Sequence, residues 1–204
     1  ELAVVWTPGT PPAGEVAATA TGFGRYSLVP RAGLADAVGE RPAGVLAHEA
    51  LRVAALRPRL GLDTDHRTLP HEVGWLVSAV HLDKGCYRGQ ESVARVHNLG
   101  RPPRRLALLH LDGSDVELPA VGSPLLLGDR EVGRVGTAVR HHELGPLALA
   151  LVKRQVPDDA ELVAGGVPAR IDETARVAEP ESAARLSAEV RALPSMDAVL
   201  ARVI

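Results

Sequence analysis

Apolar residues in the first half of the chain form short runs that Pro and Gly interrupt. The runs predict strands over residues 2–6 and 26–29, and helices over residues 34–38 and 43–57. In the longest segment Leu46, Ala50 and Val53 recur at helical spacing, and Pro58 ends it. The first strand is wholly apolar, which predicts that it is buried. Strands alternating with helices indicate an α+β first part.

After residue 100 the pattern changes to short strands with almost no helical signal. The predicted strands cover residues 106–111, 124–127, 131–139, 147–152, 161–163 and 169–171. This series is typical of a small β-barrel or a sandwich. Beyond residue 172, apolar positions predict helices over residues 180–193 and 196–203. We therefore expect an α+β domain over residues 1–100, a β-barrel over 101–172 and a helical tail over 173–204.

Composition narrows the classes of function. The 204 residues include 23 Lys+Arg and 25 Asp+Glu, so the formal net charge is −2. A general binder of nucleic acid or membrane surfaces would show a basic excess, so neither class is favoured. We expect neither a signal peptide nor a membrane span, since the sequence shows no run of the roughly 18–20 apolar residues that span a bilayer. A single cysteine cannot form an internal disulfide, which favours a reducing, cytoplasmic location.

The chain begins with Glu rather than Met, and a predicted strand follows at once. We interpret it as the later part of a longer protein.

The single cysteine, Cys86, lies in the most distinctive segment of the chain. Lys84 and Arg88 flank it at two positions on either side, and each stands beside a glycine. A helix is predicted over residues 91–97, directly after this turn. Nearby cations and a helix N-terminus favour the thiolate, which is the reactive form of cysteine. The alternative is a small packed core residue, which the flanking charges disfavour.

The segment around the cysteine resembles a family signature. Residues 84–91 read Lys84-Gly85-Cys86-Tyr87-Arg88-Gly89-Gln90-Glu91 and match the K-G-C-Y-x-G-Q-E signature of the YgfZ family in full. Further resemblance comes from Arg52, Pro58-Arg59-Leu60-Gly61 and Pro70-His71-Glu72. YgfZ proteins are bacterial folate-binding relatives of the glycine-cleavage T-protein, an aminomethyltransferase. A mitochondrial counterpart acts in iron–sulfur cluster assembly.

The resemblance implies a T-protein-like α+β fold with partial ferredoxin-like segments followed by a small C-terminal β-barrel. Tetrahydrofolate, or a one-carbon derivative, would bind in a central channel with the cysteine turn near its mouth. The implied function is assembly or repair of iron–sulfur proteins, including enzymes that modify tRNA. The implied partners are a reduced folate and iron–sulfur client or assembly proteins, with no membrane partner.

The resemblance also implies roles for individual residues. Cys86 would be a transient ligand or nucleophile, and Lys84 would assist it. The rest of the ligand turn would be Gly85, Tyr87, Arg88, Gly89, Gln90 and Glu91, while Arg52 and Glu72 would bind folate. Two positions depart from the related proteins: Ala54 replaces a glutamate that contacts the pterin in the T-protein, and Leu56 replaces a glycine.

Three other functions stay open at this point. These are aminomethyl transfer to tetrahydrofolate, a binding module with a packed Cys86, and direct contact with tRNA. A basic run, formed by Arg95, Arg101, Arg104 and Arg105, is typical of a solvated surface. It would also suit the glutamate tail of folate, whereas the lack of aromatic side chains nearby disfavours an RNA.

Two histidine groups allow more than one interpretation. His66 and His71 flank a loop that contains proline, and they would line a pocket or lie on the surface. His141-His142-Glu143 suggests a metal site, although a solvated turn is favoured because adjacent side chains point apart.

Overall fold

The computed structural model describes residues 1–8, 23–40, 42–82, 84–113 and 117–177. The first part contains strands β1 (Leu2–Pro8) and β2 (Gly24–Pro30) and helices α1 (Leu34–Val38), α2 (Val45–Ala54), α3 (Leu76–Ala79) and α4 (Gln90–Leu99). The second part contains strands β3 (Arg104–Leu111), β4 (Pro124–Leu127), β5 (Arg130–His141), β6 (Gly145–Lys153), β7 (Leu162–Ala164) and β8 (Val167–Ile171). Short 3-10 turns cover Arg31–Gly33 and Pro70–Val73. The helices predicted over residues 180–193 and 196–203 lie outside the described residues.

Strands β1 and β2 form an antiparallel two-stranded ribbon. The prediction that the first strand is buried is wrong: Leu2 and Val4 are 62% and 64% exposed, because a two-stranded ribbon leaves one face without a covering layer. The His48 ring on α2 lies 5.2 Å from the Trp6 ring and 5.7 Å from the Tyr26 ring. These ring contacts join the ribbon to α2.

Strands β3 to β8 close into an antiparallel barrel in the order β3-β6-β5-β4-β7-β8. Side chains such as Leu109, Leu125 and Val132, all fully buried, fill its interior. The barrel is confirmed and the sandwich is excluded, since β8 pairs with β3 and completes the ring of strands. The interior is a packed core of aliphatic side chains rather than a ligand cavity.

A second core lies outside the barrel. Ala50 and Val53 of α2 pack with Leu149 and other residues of β3, β5 and β6, so β3 and β6 are buried on both faces. Leu46, predicted on the same helical face, is 81% exposed because only the second half of α2 carries buried residues. The packing places the C-terminal end of α2 against the barrel wall.

Leu56 follows α2 with a φ of +52°, the one positive value at a non-glycine among the described residues. Left-handed backbone costs an L-residue about 1–2 kcal/mol, which is why the related proteins are expected to have glycine here. The Leu56 side chain is 9% exposed within the second core, and this burial offsets the backbone cost.

Candidate functional site

Cys86 is exposed on the turn that connects α3 and α4, so the packed-core interpretation of this cysteine is wrong. The Tyr87 N–H donates to Gln90 Oε1 at 3.0 Å, and the Gln90 N–H donates to the Tyr87 carbonyl at 3.2 Å. Gly89, with a φ of +84°, takes the left-handed conformation that leads the chain into α4. Lys84 Nζ lies 4.9 Å from the centroid of the Tyr87 ring. The thiol is thus reachable from solvent on a turn that its own contacts organise.

A cavity of about 650 Å³ adjoins this turn. Residues 66–70 form one wall, and the turn with the start of α4 forms the other. Three cationic side chains, Arg67, Lys84 and Arg88, line it, whereas Cys86 lies outside the lining. The remaining lining residues are His66, Thr68, Leu69, Pro70, Ala79, Val80, Tyr87, Gly89, Ser92 and Val93. The signature turn therefore borders a concave, basic surface large enough for a small molecule.

Arg52, predicted to bind folate, is 2% exposed, and its five N–H donors are all used within the chain. The acceptors are the Glu49 carboxylate, which takes two of the donors, the Arg57 carbonyl, Asp63 Oδ2 and Thr137 Oγ1. Burial alone would lower the Arg52 pKa, but the hydrogen bond that Arg52 donates to Glu49 and the charge of Asp63 raise it. Arg52 joins α2 to β5 and has no spare donor for a ligand; its contact with folate stays a prediction.

The Asp63 side chain is fully buried beside Arg52. Besides Arg52, its carboxylate accepts the Thr137 N–H at 2.6 Å and the Arg59 N–H at 2.8 Å. A Cβ at Gly136 would lie 2.4 Å from Asp63 Oδ1, so only glycine allows this approach between loop and barrel. The arrangement fixes the loop after α2 to strand β5.

A second ion-pair network holds the wall of the cavity. Glu72, 1% exposed, accepts hydrogen bonds from the Leu69 N–H at 3.0 Å and from Arg104 at 3.0 and 2.8 Å. Arg104 also donates to Asp65 at 2.8 Å, and this hydrogen bond holds the pKa of Asp65 well below its usual range. These contacts fix residues 65–72, and with them the first wall of the cavity. The contact of Glu72 with folate stays a prediction, since this carboxylate already accepts three N–H donors.

The predicted basic run is divided by the fold. Arg104 is paired with Glu72 and Asp65, and Arg105 is paired with Asp158 at 2.5 Å. Neither side chain is available to the glutamate tail of a folate, and neither lines the cavity.

His71 and His97 hold α4 against the 3-10 turn Pro70–Val73, with their ring centroids 6.3 Å apart. Both ring nitrogens of His71 and Nδ1 of His97 are buried without a hydrogen-bond partner. Burial, followed by the charge of His97, lowers the His71 pKa, whereas Glu72 opposes the shift. The charge of Glu72 is itself neutralised by Arg104. Protonation of His71 is therefore unfavourable in the folded protein.

Folding stability is expected to fall as the pH decreases below about 6.5, because the unfolded chain then binds a proton that folded His71 resists. The uptake of one such proton by the unfolded chain lowers the free energy of unfolding by at most about 1.4 kcal/mol for each pH unit. Urea denaturation at pH 7.5 and 5.5 would measure this, and His71→Phe is expected to reduce the difference between the two values. His142→Phe is the matched control, since the His142 side chain is 70% exposed. An equal pH dependence in wild type and His71→Phe would contradict the prediction.

His141 stabilises a turn. It is 8% exposed, and its Nδ1 accepts the N–H groups of Glu143 and Leu144, each at 3.2 Å. Within the described ranges, no three His, Cys, Asp or Glu side chains converge as metal ligands would.

Sequence reasoning missed Asp63 and Thr137, the partners of Arg52, and Arg67 in the cavity wall. One signal was available: six consecutive polar residues, 63–68, stand between Leu62 and Leu69. Such a run between apolar residues is typical of a loop that is held by its own side chains.

Known proteins resemble the chain in parts. Residues 104–180, which include all six barrel strands, match the family described as CAF17, C-terminal beta-barrel domain. A putative chloroplastic transferase from Arabidopsis thaliana is 28% identical over 131 residues, which are 64% of this chain and 29% of that protein. The solved aminomethyltransferase T of the glycine cleavage system from Bartonella henselae has a TM-score of 0.58 and 20% identity, over 78% of this chain and 48% of that one. The chain has a T-protein-like fold.

These likenesses confirm the predicted fold class, a mixed α/β part followed by a closed barrel. The chain spans less than a third of the plant relative and about half of the solved structure. Membership of the YgfZ family in particular, the division at residue 101 and a cytoplasmic location stay predictions. In the described part of the chain, no helix is long and apolar enough to cross a membrane.

Proposed function

We propose that this chain belongs to a folate-binding, T-protein-like factor that supports iron–sulfur proteins through Cys86. The observation that carries the proposal is the exposed thiol on an organised turn beside a basic cavity. The T-protein-like fold and the match of the barrel to the CAF17 family support it. An iron–sulfur cluster would be the cargo of a client protein, because one cysteine cannot supply the thiolates that a cluster needs.

The cavity residues suit a folate, whereas the expected pterin site at Arg52 and Ala54 does not. The pterin contact expected at Arg52 lacks a free donor, and Ala54 has no carboxylate to replace the glutamate of the T-protein. The cavity offers cations, which suit the carboxylates of a folate. Support for folate binding therefore comes from the fold and from the charge of the cavity rather than from Arg52.

Exposure lets Cys86 act on a group presented by a second molecule. Its thiolate would either occupy an open coordination position of a client's cluster for a short time or attack an electrophilic adduct. Tyr87 and Gln90 keep the turn closed through their two hydrogen bonds, so the sulfur is presented without a change in the backbone.

Replacing Cys86 with serine in the full-length protein is expected to abolish the support of iron–sulfur enzymes. The test is the activity of such enzymes in cells that lack the wild-type gene and carry either variant. Cells with Cys86→Ser should have the same iron–sulfur enzyme activity as the deletion strain. The variant protein should still accumulate normally, because the exposed side chain contributes little to stability.

Ala94→Ser is the control, because it adds a hydroxyl to an exposed position of α4 and keeps the thiol. Full enzyme activity with Cys86→Ser at normal protein abundance would refute the proposal.

The T-protein-like fold favours aminomethyl transfer to tetrahydrofolate as a second candidate. Formation of methylenetetrahydrofolate from an aminomethyl-lipoyl donor by the full-length protein would support it. If that activity were present and unchanged in Cys86→Ser, this second candidate would replace the first.

A further inference from the structure

Several arginines in the described part of the chain are paired with carboxylates, whereas the two that line the cavity have no ion pair with a described residue. Ion pairs join Arg52, Arg59, Arg104, Arg105, Arg170 and Arg176 to acidic side chains. In the cavity, by contrast, Arg67, Lys84 and Arg88 have no ion pair with any described residue, and Lys84 Nζ lies 4.9 Å from the centroid of the Tyr87 ring. Three positive charges without an ion-pair partner among the described residues therefore line one concave surface.

The rest of the lining adds donors and apolar area but no negative charge. His66, Thr68, Tyr87 and Ser92 supply polar groups, and the described lining contains no carboxylate. Helix α4 begins at the cavity with Gly89 and Ser92 in the lining, and no side chain caps it. The helix dipole adds partial positive charge at this end. The formal charges of the described lining residues are thus all positive, although Glu91 in the first turn of α4 lies outside that lining.

We propose that this cavity binds a small oligoanion, a molecule with several carboxylate or phosphate groups spaced along it. Its volume of about 650 Å³ lies within the size range of small-molecule sites. The cations come from separate segments, Arg67 from one wall and Lys84 and Arg88 from the other, so they match charges that are spread along a ligand. The arginine guanidinium can form paired hydrogen bonds with either a carboxylate or a phosphate. The inference rests on the proposed function in using the same cavity and deepens it by naming the ligand chemistry, although the site itself requires neither a pterin nor the thiol.

The test is calorimetric titration of the full-length protein with tri-γ-glutamate and, separately, with inorganic tripolyphosphate. At least one is expected to bind with one-to-one stoichiometry, and binding should weaken as the salt concentration rises. Arg67→Gln and Arg88→Gln are each expected to raise the Kd about tenfold or more, because each removes a charge-assisted hydrogen bond. Both side chains are exposed and unpaired among the described residues, so the variants should fold.

Arg130→Gln is the matched control: it removes the same charge from an exposed barrel residue outside the cavity and should change the Kd less than twofold. Cys86→Ser should also leave the Kd unchanged, which separates this site from the proposed role of the thiol. A preference for tri-γ-glutamate would indicate a polyglutamyl ligand, and a preference for tripolyphosphate a phosphorylated one. Failure of both probes to bind in the millimolar range would overturn the proposal. Equal effects of Arg67→Gln and Arg130→Gln, or binding of single-stranded RNA in place of both probes, would also overturn it.

Discussion

Replacing Asp63 with asparagine is expected to lower the free energy of unfolding by about 3–5 kcal/mol. The fully buried carboxylate accepts hydrogen bonds from Arg52, from the Thr137 N–H and from the Arg59 N–H. Asparagine removes the negative charge beside a buried guanidinium and places an NH₂ donor among donors. Arg52 would then keep only Glu49 as an anionic partner. Urea denaturation at pH 7 is the measurement.

Asp159→Asn is the matched control for this variant. It makes the same chemical change at an exposed residue and should alter the free energy of unfolding by less than about 0.5 kcal/mol. Similar values for the two variants would show that the buried network contributes little to stability.

Glu72→Gln is expected to lower the free energy of unfolding by about 2 kcal/mol, because it removes charged hydrogen bonds to Arg104. The effect is smaller than that of Asp63→Asn since the Arg104 side chain is 22% exposed and keeps Asp65 as a partner. A double-mutant cycle with Arg104→Gln should give a coupling energy of about 1 kcal/mol or more.

The exposed pair Glu161 and Arg170 provides the control cycle. Their side chains are 83% and 73% exposed, so their coupling should lie below about 0.5 kcal/mol. If the two cycles gave equal coupling energies, Glu72 would not stabilise the cavity wall in the way the contacts indicate.

The elements of the fold were predictable from local patterns. The barrel strands were found because each is a short apolar run between turn residues, as in 106–111 and 147–152. Closure of the barrel was not predictable from local patterns. It depends on the pairing of β3 with β8, in which the partners Leu109 and Ile171 are far apart in the chain. The exposure of Leu2 and Val4 was also not predictable, because a wholly apolar run does not show whether a second layer covers the strand.

The candidate site, too, was predictable only where its residues are contiguous in the sequence. The turn around Cys86 is a contiguous motif, so its position and composition were visible in the sequence. The networks around Arg52 and Glu72 are not contiguous: Thr137 and Arg104 lie 85 and 32 positions away from their partners. The family resemblance implied that Arg52 and Glu72 bind folate. Only the three-dimensional structure shows that hydrogen bonds within the chain already occupy the donors of Arg52 and the carboxylate of Glu72.

The two helices near the site are attached to the barrel unequally. Helix α2 is fixed by the second core and by Arg52, whereas α4 contacts the remainder mainly at the 3-10 turn Pro70–Val73 and the histidine pair. Weakly attached segments open at a smaller free-energy cost than the global unfolding of a core. Amide hydrogen exchange in residues 90–99 therefore reports local opening, while exchange in β3 and β6 reports unfolding of the whole chain. A partner that binds at the already exposed Cys86 could therefore displace α4 alone, with the barrel left intact.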